Sequence, residues 1–91
     1  MQLKEADFYY KITNYLGALK IYKELHEINN TRPELNYKIG VCIFNSGGDI
    51  PGTIPYFKQA VENGHVESFY YLARCYHLQM KFDEAIKLYQ Q

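Results

Sequence analysis

The sequence predicts an all-α fold, an α-α superhelix of about three helical hairpins and six antiparallel helices in one domain. Ile39-Gly40-x-x-Ile43 returns as Leu72-Ala73-x-x-Tyr76, each member 33 positions later. A small residue followed by an aromatic recurs as Ala18 with Tyr22, Thr53 with Phe57 and Ala85 with Tyr89. The apolar residues between the breaks fall at helical spacing, and no strand is read. A period in this range built from paired helices marks a solenoid, in which neighbouring hairpins stack to bury a continuous core.

The first helix runs from about Leu3 to Lys11, with Leu3, Ala6, Tyr9 and Tyr10 as its stripe, and Thr13-Asn14 breaks it. Tyr15 to Ile28 is the clearest helix; Tyr15, Leu16, Leu19, Tyr22, Leu25 and Ile28 form one broad face, and Asn29-Asn30 end it. Thr31-Arg32-Pro33-Glu34 reads as a capping box, with Thr31 capping, Pro33 in the first turn and Glu34 reaching back. That third helix continues through Leu35, Ile39, Cys42 and Ile43 to about Asn45, where Ser46-Gly47-Gly48-Asp49 stops it. The fourth helix starts between Pro51 and Thr53, because a proline is tolerated in the first turn; either Thr53 caps it or Pro55 bends it. It carries Tyr56, Phe57, Ala60 and Val61 to Asn63, and Gly64 ends it. Val66 to about Gln79 is the fifth, with Phe69, Leu72, Ala73 and Tyr76 inward and a tight turn at Met80-Lys81. Asp83 and Glu84 place acid in the first turn of the sixth, which holds Ala85, Ile86, Leu88 and Tyr89.

Ninety-one residues make at most one domain. Ten tyrosines and five phenylalanines without tryptophan, at helical spacing, are read as core and inter-helix packing. The formal net charge is zero and no Lys/Arg stripe follows one face, which argues against nucleic acid as a partner and against a polybasic membrane contact. No apolar run is long enough to span a bilayer, and Met1 to Asp7 lacks a signal layout. Cys42 and Cys75 sit at equivalent repeat positions. Stacked helices lie roughly 8–10 Å apart, whereas a disulfide needs Cα atoms within about 7 Å, so two free, core-filling thiols are expected.

These residues resemble the tetratricopeptide repeat. Its first-helix small residue and partner appear as Ala6 with Tyr9, Gly40 with Ile43 and Ala73 with Tyr76; its second-helix pair is the small-aromatic motif already given. The small residues let hairpin backbones approach while rings fill the space. The repeats fall at approximately 1–30, 31–64 and 65–91. Tyr56 to His65 also resembles the Sel1-like variety. Repeat one has Gln2 and Glu5 where the family has apolar residues, repeat two carries a one-residue insertion in its Gly-rich turn, and repeat three is cut short. Ile86, Leu88 and Tyr89 leave the last helix without a polar closing face, so the chain is expected to be part of something longer. The runs Glu34 to Cys42, Ile54 to Phe57 and Tyr71 to His77 are similar to repeat segments of Bacteroidetes-type OmpA-like envelope proteins. That resemblance implies a periplasmic or outer-membrane-associated setting; without it the setting is cytoplasmic.

No catalytic, cofactor or metal site is read. His26, His65 and His77 lie on different elements, no C-x-x-C or H-x-x-x-H spacing occurs, and Ser46-Gly47-Gly48 lacks the lysine of a phosphate loop. The resemblance implies a protein-interaction module, a scaffold or adaptor, whose first helices line a concave groove. The positions are Asp7, Tyr10 and Lys11; then Glu34, Tyr37, Val41, Phe44 and Asn45; then Glu67, Tyr70, Arg74, His77 and Leu78. The Lys and Asn pattern that grips a terminal carboxylate in the chaperone-binding members is not met. An extended peptide or partner helix is expected across Tyr37, Phe44, Tyr70 and Arg74. The alternative is a structural spacer that self-associates through Leu88 and Tyr89.

Overall fold

Three turn residues set the hairpins. Thr13, Gly47 and Met80 all hold left-handed backbone, with φ of 61°, 134° and 62°. Each follows the first helix of its hairpin, and they lie 34 and then 33 positions apart. At Thr13 and Met80 the following amide reaches back to close the helix end, Asn14 to the Tyr9 carbonyl and Lys81 to that of Tyr76, both at 2.8 Å.

The computed structural model describes residues 2–29, 32–47 and 49–90. Six helices follow in order: α1 Gln2–Lys11, α2 Tyr15–Ile28, α3 Pro33–Asn45, α4 Ile50–Glu62, α5 Val66–Leu78 and α6 Phe82–Tyr89. They pair as three helical hairpins, α1 with α2, α3 with α4 and α5 with α6, and each second helix packs on the next hairpin's first. The stack measures 41 × 25 × 19 Å. The all-α hairpin architecture read from the sequence is the one observed.

Asn14 caps α2, its side chain accepting from the Gly17 amide at 3.1 Å. Two expectations for the helix starts are corrected. Arg32 occupies the cap position of α3 without a side-chain bond, Pro33 follows, and Glu34 pairs with Lys38. Thr31 lies outside the described residues. Helix α4 begins earlier than expected, at Ile50, because Asp49 caps it by accepting from the Gly52 amide at 3.3 Å. Pro51 then falls in the first turn, and Pro55 lies inside the helix with its ring on the exposed side.

Thr53 is therefore no cap. It is fully buried, and its hydroxyl donates to the Gly40 carbonyl at 2.6 Å. The ring of Phe57, one turn on, lies over Gly40: a methyl group there would meet it at 2.7 Å. All six small residues of the two motifs, Ala6, Gly40 and Ala73 with Ala18, Thr53 and Ala85, are buried. Their paired second-helix rings Tyr22 and Phe57 are fully covered by the next hairpin, whereas Tyr89 is 48% exposed.

The core divides into two clusters that share α3. Ala6, Ala18, Tyr22, Leu35, Ile39 and Cys42 join α1, α2 and α3. Val41, Phe57, Leu72 and Cys75 join α3, α4 and α5, with Leu88 of α6 against them. Both thiols are free and buried, and burial pushes Cys42 up to about 12 and Cys75 to about 11. The broad face expected on α2 is narrower than the sequence suggests. Leu16 lies two positions from Ala18, nearly opposite it at about 100° per residue, and is exposed; so is Ile28 at the helix end.

Gly40→Ala should destabilise the fold by about 1–3 kcal/mol, since the new methyl must displace the Phe57 ring. Met80→Gly should stabilise it by about 1 kcal/mol by removing the side chain from left-handed backbone at an exposed position. Urea unfolding curves of the two variants against the parent chain measure both.

Candidate functional site

The residues on the first-helix face fall into two groups. The first is a charge-and-ring cluster at α1 and α3. The Tyr22 hydroxyl donates to Asp7, and Lys38 donates to the same carboxylate at 3.1 Å while pairing with Glu34 at 3.4 Å. The Lys38 ammonium also lies 5.7 Å from the centre of the Tyr10 ring, within reach of its negative face. Partial burial pushes the Asp7 carboxyl up, but the Tyr22 hydroxyl, Lys38 and the Arg32 charge more than offset this and hold it below its ordinary value. Burial raises both Tyr10 and Tyr22, with the Asp7 charge adding to the rise at Tyr22. This cluster ties hairpin one to hairpin two and leaves neither Asp7 nor Lys38 without a partner.

The second group is an aromatic sheet centred on Tyr71. Its ring stacks on Phe57 at 5.3 Å and 15° between planes. Tyr37, Phe44 and Tyr70 meet it edge-on at 5.7, 5.7 and 5.8 Å. The Arg74 guanidinium sits over Phe44 at 5.1 Å, with Tyr70 at 5.7 Å and Tyr71 at 5.9 Å. Tyr37 packs against His65 at 4.4 Å, and His65 Nδ1 lies 2.9 Å from the buried Ser68 hydroxyl. Burial, with the neighbouring Tyr71 and Glu67, pushes the Tyr37 hydroxyl up to about 12. The α4–α5 turn is thereby docked on the same rings.

The structure thus brings Tyr37, Phe44, Tyr70 and Arg74 together around one ring. Tyr10 packs edge-on with Tyr15 and Tyr22 and links the two groups through a hydrogen bond with Tyr37. Asn45 is exposed, its amide donating to the Val41 carbonyl at 2.9 Å. His77 is exposed and meets Phe82 edge-on at 5.4 Å. Val41 is a correction: at 3% exposure it belongs to the second core cluster and offers almost no surface to a partner. Lys11 and Glu67 are exposed at the flanks.

Sequence reasoning passed over Tyr71 and Lys38. Ser68, Tyr71, Leu72 and Cys75 fall at i, i+3, i+4 and i+7, the spacing of one helix face, which would have marked Tyr71 as inward. Glu34 and Lys38 are an i, i+4 pair, but the link to Asp7 depends on how the hairpins stack.

The stacked hairpins, with a small residue at each close helix crossing, define a helical-repeat protein. Residues 67–91, which hold α6 and all of α5 but its first residue, match the family model of the tetratricopeptide repeat. The match supports that family. No curated protein matches the chain.

Because Asp7 is held below its ordinary value when folded, its contribution to stability is present above the unfolded value near about 3.9 and is lost as pH falls through the folded one. Asp7→Asn should therefore be less stable than the parent at neutral pH, and the gap should close as pH falls below the ordinary carboxylate range. Thermal melts of both chains between neutral and strongly acid pH measure this.

Proposed function

We propose that this chain is a non-catalytic protein-interaction module that binds an extended peptide or a partner helix along the first-helix face. Tetratricopeptide repeats generally mediate protein–protein interaction. The observation that carries the reading here is the aromatic sheet: Tyr70 is 55% exposed, Arg74 is fixed over three rings, and Phe44 and Tyr37 are half-buried beside them. Tyr and Arg dominate binding energy in interfaces because they bring large area with few rotatable bonds and directional donors. Rings already locked by their neighbours lose little freedom when a partner covers them.

A second reading, self-association through the last hairpin, is favoured by the exposure of Ile86 and Tyr89. Sedimentation across a concentration series separates the two, since a groove binder stays a monomer and an α6-mediated assembly does not. The Sel1-like character, the adaptor role and the envelope setting rest on sequence resemblance alone.

Tyr70→Ala and Arg74→Ala should each weaken partner binding by at least about tenfold, the loss of roughly 1.4 kcal/mol, with the helical content of the chain unchanged. Calorimetric titration of the partner into each variant is the measurement. Unchanged affinity in both would remove the groove reading.

A further inference from the structure

Two clefts meet where α5 and α6 come together, and a single pair of rings divides them. Tyr70 and Tyr89 lie with centroids 6.1 Å apart, and both line each cleft. On one side, about 350 Å³ is walled by Val66, Phe69 and Leu88 and is apolar. On the other, about 260 Å³ is walled by Arg74, His77 and Leu78.

Arg74 differs from Lys38, the cation held among rings in the first group. Lys38 is committed to Asp7 and Glu34. Among the described residues Arg74 has no carboxylate within salt-bridge distance; its neighbours are the rings of Phe44, Tyr70 and Tyr71. A guanidinium carries five N–H donors in a planar fork that matches a carboxylate. Arg74 lines a cleft together with His77, whose ring adds a further N–H.

We infer that this end of the chain is a two-part docking site for a peptide segment carrying an Asp or Glu side chain and, close by in sequence, a large apolar side chain. The inference rests on the groove reading and names its partner class. The carboxylate meets the Arg74 edge and the apolar side chain fills the cleft of Val66, Phe69 and Leu88. Tyr70 and Tyr89 line both clefts, so the two parts are adjacent and one short segment reaches both. Complementary charge supplies the choice of acid: a lysine at that position would face Arg74 directly.

Selection from a displayed library of random twelve-residue peptides, with both peptide ends blocked by fusion, tests this on the full chain. Enriched peptides should share an acid with Leu, Ile, Met or Phe close by in sequence. Replacing that acid by its amide should weaken binding at least tenfold in fluorescence anisotropy, a comparison that needs no protein variant. Arg74→Gln should abolish the preference for acid over amide, Arg74→Lys should keep part of it, and Val66→Asp should weaken both peptides. Enriched peptides without a shared acid, or a preference that survives in Arg74→Gln, would overturn the inference. If peptides bind through Tyr37 and Phe44 with no dependence on Arg74 charge, the groove reading stands and the two-part site falls. If nothing enriches, both fall.

Discussion

The contact of the Phe57 ring with the backbone at Gly40 is the constraint on which the rest depends. A hydrogen in place of a side chain lets α3 and α4 approach until the ring lies on the α-carbon, and Thr53 bonds the Gly40 carbonyl from the same side. An unbonded carbonyl buried in that crossing would cost about 1–3 kcal/mol, so the threonine hydroxyl and the glycine act together. Phe57 is then fixed, and Tyr71 stacks on it. Tyr71 in turn carries the edges of Tyr37, Phe44 and Tyr70, and beside them Arg74. The candidate binding face is the outer layer of a sequence of contacts that begins at one missing β-carbon.

The same logic runs through the other hairpins with different chemistry. Ala6 and Ala18 allow the first crossing, and there the ring is Tyr22, whose hydroxyl reaches out to Asp7. A phenolic oxygen inside a core needs a partner, and Asp7 supplies one that is itself balanced by Lys38 from the next hairpin. Hairpin one is thus joined to hairpin two by polar bonds at the rim of an apolar core. Hairpin two is joined to hairpin three by rings and aliphatic side chains, with a hydrogen bond between Tyr37 and Glu67 beside them. Arg74 lies among those rings.

Much of this was legible in the sequence because the small residues recur at a fixed interval. Gly40, Ala73, Thr53 and Ala85 announce the crossings, and Gly47 and Met80 fall at matching turn positions. The start of α4 was misread because Pro51 and Pro55 drew attention from Asp49, whose side chain is the better cap. Val41 was placed on the surface by analogy with Asp7 and Arg74, the residues at the same repeat position, although its own chemistry suits the core where it lies. Tyr71 was hidden by its neighbour Tyr70: two adjacent rings cannot be assigned to inside and outside until the helix face is fixed by Leu72 and Cys75. The Asp7 to Lys38 pair spans two hairpins, and no local pattern encodes how hairpins stack.

Function follows the same division. What the fold converges around Tyr71 is rings and one guanidinium, which suit recognition. The account turns on Phe57 lying over Gly40, and proton NMR reads that directly. The Gly40 α-protons should be shifted well upfield by the ring and show strong Overhauser contacts to the Phe57 ring protons. Ordinary glycine shifts with no contact to Phe57 would contradict the account, because neither the α3–α4 approach nor the aromatic sheet built on it would then exist.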